Sequence, residues 1–597
     1  MRRLIVIPFI FITLSLFAAP IGEQKAREIA LKFFGTSGTR TSSVVLEMEW
    51  AGSDIESVEK SGGVTRSSAV GSENDVEEAL VYIYNRVDTK GFVVVAGDDK
   101  VKKPILAFSY DNTFDVENMP DGAKAILQAW CQQVAAIRTS NRLSAATRAD
   151  DTSVGNIVCK HETALWNQRK PYNNETPVFD GEELPCGCVA TASGIICRYY
   201  EWPEKGVGTT PEYTYKDDIG VQRTIPANEL GRIYDYSKLK MDYKDGYTEE
   251  EGAMVAALLY DLGTSFRMKF GQDGSGANTS TAAASLVKYF SYSKGTLYIS
   301  HLGRSEEEWS SMLQKNISEY GPTQFRGNSQ SGGHSFVLDG YTDQNYFSIN
   351  YGWGGSSNGY YLLPNISYYK NQGAIFYLKP DKDGTSEYRD YVTLQAYTAN
   401  SGNVYRGVYT TAKEYKVGLN FRMYVAMASS GLADFYGYIC VAHCDKSGNI
   451  KEIICTKEKT ATPLKSTASG FNSINAISKS IEEGDRLRVF YKGINSDEWV
   501  RALSGESGAY DEVLLWATPQ EVAKSLKISY EKDSKIFTFA SQHSIQYSIT
   551  NASGSVVKSG KAASFNTTEI DLSELESGIY TFSFASGGEP YKLNIKL

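Results

Sequence analysis

The rhythm of apolar and polar positions changes several times along the 597 residues. Residues 22–34, GEQKAREIALKFF, place Ala26, Ile29, Ala30 and Phe33 at helical spacing, and Gly35 stops the pattern. A Ser/Gly/Thr-rich stretch follows over 36–75, broken by a strand-like run at 44–50. Residues 79–99, ALVYIYNRVDTKGFVVVAGDD, read as two strands joined by a turn. A second amphipathic helix over about 123–138 carries Ile126, Leu127, Trp130, Val134 and Ile137. Residues 138–153, RTSNRLSAATRADDTS, are polar and rich in turn formers, which suits an exposed linker open to proteolytic nicking.

Beyond residue 155 the pattern is first helical, over 188–201, 249–262, 279–290 and 305–319, and then β, through HSFVLDG, NYFSINYGW, GYYLLP and AIFYLKP. Helices followed by strands predict an α+β domain of two lobes. The linker PDKDGTSEYRD, 380–390, opens an all-β region to about 520, for which a β-sandwich is expected. Short strands and turns fill 525–597.

Composition narrows the function classes. Lys and Arg total 61 against 70 Asp and Glu, a net charge of −9, and no long basic run appears after the first residues. Nucleic acid is therefore excluded as the main partner. The N-terminus has two Arg, an apolar run from Leu4 to about Phe17, then Ala18 and Ala19. This is the layout of a secretory signal peptide over 1–19, so a secreted or cell-surface protein is expected, passing through the periplasm; a retained membrane anchor is the other reading. The eight cysteines, Cys131, Cys159, Cys186, Cys188, Cys197, Cys440, Cys444 and Cys455, are too few for a disulfide scaffold. The group at 440–455 has room for one bridge.

Candidate chemistry starts from the five histidines. His334 stands in SGGHSFVLDG, where two glycines permit close approach and a strand holds the ring. Cys188 opens an apolar-periodic helix, and a helix N-terminus stabilises a thiolate. Cys186 lies two residues earlier, in the loop. A zinc clip would need two more ligands at sensible spacing, and the sequence offers none. Cys197 reads as helix core. Asn350, sixteen residues after His334, falls on the second strand of a hairpin turning at TDQN, where its amide can fix an imidazole tautomer. Trp353 follows in YGWGG. Cys, His and Asn in this order suggest a papain-like arrangement, although Cys-Gly-Cys-Val replaces the local papain signature.

WNQRKPYN (166–173), GCVATA (187–192), GQDGSGA (271–277), GGHSFVLDG (332–340) and INYGWGG (349–355) together resemble the streptopain family of secreted cysteine proteases, in its Bacteroides and Prevotella form. The resemblance covers about 150–380, and 20–145 resembles the family's inhibitory propeptide. It implies Cys188 as nucleophile, His334 as base and Asn350 as the orienting residue. It also implies Gln168 as the oxyanion-hole side chain and Trp353 as the flanking indole. Gly333, Ser275 and Gly276 would line the substrate cleft. The implied layout is a signal peptide at 1–19, an α+β propeptide at 20–148, a papain-like two-lobed protease domain at 149–380 and a β-sandwich at 385–520. A final β domain at 525–597 resembles the type IX secretion sorting domain, through SVV, IDLSEL and YKLNIKL; a plain β module is the alternative there.

The implied activity is peptide-bond hydrolysis by a zymogen activated within 138–153, with Arg148 a candidate cleavage point. Its partners are protein or peptide substrates, its own propeptide as inhibitor, and outer-membrane secretion machinery. No metal or organic cofactor is called for. Two rivals share part of this pattern. An amidase or transglutaminase-like acyl transferase would normally carry Asp as the third member, and a surface adhesin would use the β-rich third of the chain.

Overall fold

The structure is a computed structural model of the chain. It describes residues 20–36, 44–53, 79–139, 152–329, 332–585 and 591–596, less single residues and short stretches at 367, 401, 403, 411, 413–414, 464, 506–507, 516–521, 523–525, 532–533, 543–544 and 564–566. The signal peptide, most of the linker and Arg148 lie outside the described residues. The chain forms two compact units. One joins residues up to 293 with 306–384, and the other joins 294–305 with 385–597.

The first unit begins with helix α1 (Glu23–Thr36), strands β1 (Leu46–Gly52), β2 (Val81–Arg86), β3 (Phe92–Ala96) and β4 (Ile105–Ser109), and helix α2 (Asp121–Thr139). α1 lays the apolar stripe foreseen from its spacing against the sheet: Ala26, Ile29, Ala30, Phe33 and Phe34 share one core cluster with Tyr82, Tyr84, Val93, Val95 and Phe108. β2, β3 and β4 read as continuous apolar runs because helices or other layers cover both faces; every residue of β3 and β4 is buried.

The chain then adds β5 (Ile157–Lys160), helices α3 (Cys188–Tyr200), α4 (Glu249–Ser265), α5 (Thr279–Phe290) and α6 (Glu306–Tyr320), and strands β6 (Thr323–Asn328), β7 (Gly333–Thr342), β8 (Tyr346–Asn350), β9 (Gly359–Leu362) and β10 (Lys370–Phe376). The four helices match the helical patterning closely. α4 starts on a capping box in which Thr248 and Glu251 satisfy each other's backbone N–H. Strands β6 to β10 follow the four helices, in the order the patterning predicts.

The two halves of this unit share one sheet. Its strand order is β1-β2-β3-β4-β9-β8-β7-β6-β10, with β5 on β7. The junction is antiparallel: Phe108 opposes Tyr360 and Ala107 opposes Tyr361. Side chains reinforce it. Phe108 stacks on Tyr360 at 4.9 Å, and the Tyr346 hydroxyl donates to the Ile105 carbonyl at 2.7 Å.

In the second unit two five-stranded sheets, one centred on Asn420–Ser429 and one on Phe435–Cys444, contribute to one common core, the expected β-sandwich. A further pair of sheets of three and four strands encloses its own core of Phe537, Phe539, Phe582 and Phe584. Cys440, Cys444 and Cys455 are free thiols. Cys440 and Cys444, four apart on one strand, face the same side, whereas Cys455 packs against the main core, so no bridge closes there.

Candidate active site

Gly187 caps α3 with φ 91°, a left-handed conformation that suits glycine. A β-carbon there would also lie 2.8 Å from both Met268 Cε and the Ser275 carbonyl oxygen. The chain can therefore turn into α3 with no side chain between Cys188 and the 268–276 loop. No side chain caps the helix either, which leaves first-turn N–H groups for the Cys188 sulfur.

The two thiols differ sharply. Cys186 is fully buried, with Sγ 3.3 Å from the Thr191 hydroxyl, and burial pushes its pKa up to about 12. Cys188 is partly exposed. Burial of its sulfur raises its pKa too, against the backbone N–H groups of Ser335, Val189 and Cys188 and the charge of Arg326. Gln168 adjoins the turn: its carbonyl accepts from the Cys186 N–H at 3.0 Å. The Ser275 hydroxyl accepts from the Gly271 N–H at 3.3 Å, and Gly276 pairs with Lys269 through two backbone bonds. Gly333 opens β7 opposite Asn328.

His334 follows Gly333 on β7, whose N-terminal end meets the Cys188 sulfur through the Ser335 N–H. Its imidazole Nε2 lies 2.9 Å from the Tyr351 carbonyl. Facing a carbonyl, Nε2 carries the proton. Burial lowers the pKa of this histidine to about 4, opposed by that hydrogen bond. The ring stacks on the Trp353 indole at 4.9 Å and also packs on Tyr351, Tyr368 and Phe336. Among the described residues no hydrogen bond joins Cys188 to His334, and both groups are held neutral.

Asn350 does not bond to His334 in this arrangement. Its Nδ2 donates to the Thr163 hydroxyl at 3.0 Å and the Ala164 carbonyl at 2.9 Å, and its Oδ1 accepts from the Gly352 N–H at 3.1 Å. The expected amide–imidazole contact is absent because the imidazole is spent on Tyr351.

The N-terminal half covers this site. Gly122, in the first turn of α2, backs directly onto Trp353 and the Tyr368 hydroxyl. Asn112 donates to the carbonyls of Gly355 and Asn358, at 2.8 and 3.0 Å, and so braces the loop that carries Trp353. Trp130 of α2 stacks on Tyr361, which meets Tyr351 edge-on. Sequence reasoning singled out neither Tyr351 nor Tyr368; the aromatic runs around them were the available signal.

A cysteine–histidine contact does occur elsewhere, at Cys159 and His161. His161 Nε2 lies 3.4 Å from Cys159 Sγ, but it also faces the Ile317 carbonyl at 2.9 Å, and Nδ1 meets the Tyr199 hydroxyl at 3.0 Å. Both ring nitrogens are engaged. Among the described residues no group of three His, Cys, Asp or Glu side chains is placed to hold a metal ion.

Comparison with known proteins gives three matches along the chain. Residues 166–361 match the peptidase C10 family, 18–134 the Spi protease inhibitor family, and 526–596 the secretion system C-terminal sorting domain. The chain is 31% identical over 358 residues to thiol protease/hemagglutinin PrtT of Porphyromonas gingivalis, covering 58% of this chain and 39% of that protein. It is 28% identical over 302 residues to streptopain of Streptococcus pyogenes, covering 48% of this chain and 74% of streptopain. Among solved structures, the prointerpain A fragment of Prevotella intermedia is 27% identical with TM-score 0.41, covering 49% of this chain and 94% of that one. The sorting domain marks the protein as secreted or cell-surface. Residues 166–361 thus form a peptidase C10 domain, preceded at 18–134 by a Spi protease inhibitor domain.

Proposed function

We propose that the protein is a cysteine endopeptidase made as a zymogen, hydrolysing peptide bonds with Cys188 as nucleophile and His334 as general base and acid. The observation that carries this reading is the placement of Cys188 at the uncapped N-terminus of α3, against the start of the strand that bears His334. Cys186, buried and with its thiol pKa pushed up to about 12, is unsuited to attack.

In the active state the imidazole leaves the Tyr351 carbonyl and pairs with the Cys188 thiol, and Asn350 Oδ1 accepts the imidazole N–H. The thiolate attacks the scissile carbonyl. Gln168 and the Cys188 N–H hold the oxyanion, each such donor being worth about 3 kcal/mol. His334 protonates the leaving amine, and water then hydrolyses the thioester. Trp353 shields the imidazole, and Gly333, Ser275 and Gly276 border the cleft for the substrate chain. Residues 20–148 act as the inhibitor until the linker is cut. Residues 526–596 engage secretion machinery.

The test is a processing time course under reducing conditions, followed by intact mass, on wild type, Cys188→Ala and Cys186→Ala chains beginning at residue 20. Wild type and Cys186→Ala should lose about 130 N-terminal residues, a length set by the linker at 138–153, while Cys188→Ala stays whole. Processing of purified Cys188→Ala at the wild-type rate would overturn the assignment.

A further inference from the structure

Asn350 and His334 grip opposite ends of one peptide group. The Tyr351–Gly352 peptide gives its N–H to Asn350 Oδ1 and its carbonyl to His334 Nε2. If His334 departs for Cys188 and takes over Asn350 Oδ1, Asn350 must keep its amide orientation while its loop-side partner changes. Whatever fixes that amide from the other side then controls the dyad.

Two acceptors do so. One is the Ala164 carbonyl. The other is the Thr163 hydroxyl, which has a single proton to give. Thr163 Oγ1 lies 2.6 Å from Asp339 Oδ2, and an ionised carboxylate only accepts. The hydroxyl proton therefore points to Asp339, so the oxygen presents a lone pair to Asn350 Nδ2 at 3.0 Å. Asp339 is buried on β7 and held by Lys160 Nζ at 2.7 Å. Its second oxygen, Oδ1, is buried with no hydrogen-bond partner among the described residues. A buried carboxylate with an unsatisfied oxygen is costly, and a fold that served stability alone would gain nothing from it.

We infer that Thr163 and Asp339 are positioning residues of the proposed catalytic centre: Asp339 orients the Thr163 hydroxyl, and the hydroxyl keeps the Asn350 carbonyl oxygen turned toward the imidazole. The inference rests on the reading of Asn350 as the orienting residue of an active cysteine peptidase. Neither residue touches substrate. Their effect is on the fraction of enzyme whose imidazole is correctly held, and hence on kcat rather than on substrate binding.

The experiment uses the fully processed enzyme and a fluorogenic peptide, with Thr163→Val, Thr163→Ser, Asp339→Asn and the Thr163→Val/Asp339→Asn double variant. Wild-type turnover that Cys188→Ala abolishes establishes the peptidase reading first, so its failure is seen separately. Thr163→Val should lower kcat about 10- to 100-fold, part of the contribution of general acid–base catalysis, with KM within about twofold. Thr163→Ser, which keeps the hydroxyl, should return kcat to within about threefold of wild type. Asp339→Asn should lower kcat alone but add little in the Thr163→Val background, because both act through one hydroxyl. Three results would each overturn the inference: wild-type kcat in Thr163→Val, a loss that Thr163→Ser does not recover, or additive effects in the double variant.

Discussion

Gly122 and Trp353 touch with no space between them for a methyl group: a β-carbon on Gly122 would lie 2.4 Å from the indole Cζ2 and 2.7 Å from the Tyr368 hydroxyl. Both aromatic rings pack on the imidazole of His334. The first turn of α2 therefore bears on the two rings that hold the histidine in its present position.

Gly122→Val should loosen that hold. Overpacking costs about 1–3 kcal/mol, which corresponds to roughly a 5- to 150-fold weaker grip. The variant is expected to process faster than wild type in the same time course. A processing rate equal to or slower than wild type would show that the contact does not restrain the site.

Alkylation should separate the two neighbouring thiols. With the processed enzyme near neutral pH, a brief exposure to iodoacetamide is expected to modify Cys188 and leave Cys186 unlabelled, since only thiolate reacts and burial holds the Cys186 pKa near 12. Peptide mapping by mass spectrometry reads the outcome directly. Label on Cys186 ahead of Cys188 would reverse the assignment.

Acid should weaken the latent state. The His334 pKa falls from 6.5 to about 4 through burial. Between those values the unfolded chain binds more protons than the folded one, so stability is full above pH 6.5 and declines as pH drops toward 4. The total loss is on the order of 3 kcal/mol. It can be measured on the unprocessed Cys188→Ala chain by thermal unfolding across this range. Adding His334→Asn should flatten that slope, and an unchanged slope would place the pH dependence elsewhere.

The second unit offers an independent check. His443 is fully buried, with Nε2 2.7 Å from Asp485 Oδ2 and Nδ1 3.3 Å from Glu452 Oε1. Leaving buried hydrogen-bonding groups without a partner typically costs about 1–3 kcal/mol each. His443→Leu should therefore lower the Tm of the β-sandwich while leaving the processing time course of the first unit unchanged. An unaltered Tm would show that Lys451, 2.8 Å from Asp485, suffices alone.

Much of this could be read from the sequence, for identifiable reasons. The helices α2 to α6 carry long amphipathic periods, and a period of that length has few alternative readings. Cys188 and His334 stood out because both residue types are scarce here and both sit beside glycines at element starts. The hairpin that brings Asn350 near His334 followed from two apolar runs around TDQN; in the structure Asn350 opposes Val337.

Other features left no local trace. The junction of β4 with β9 pairs residues about 250 positions apart, and nothing in either run distinguishes a partner inside its own half from one in the other half. Thr163 and Asp339 are ordinary polar residues whose meaning lies entirely in what they face. The rotation of His334 onto Tyr351 depends on the rings around it, which no spacing rule encodes.

The shared sheet has a consequence for the enzyme after maturation. While β4 is present, the backbone groups of Tyr360 and Tyr361 are paired with Phe108 and Ala107. Loss of β4 turns β9 into an unprotected edge strand, bordered by an aromatic face that Phe108 had covered. Such edges recruit other strands, including those of a second molecule or of the discarded fragment. If maturation removes β4 with the rest of the N-terminal segment, the mature form should be the species prone to self-association.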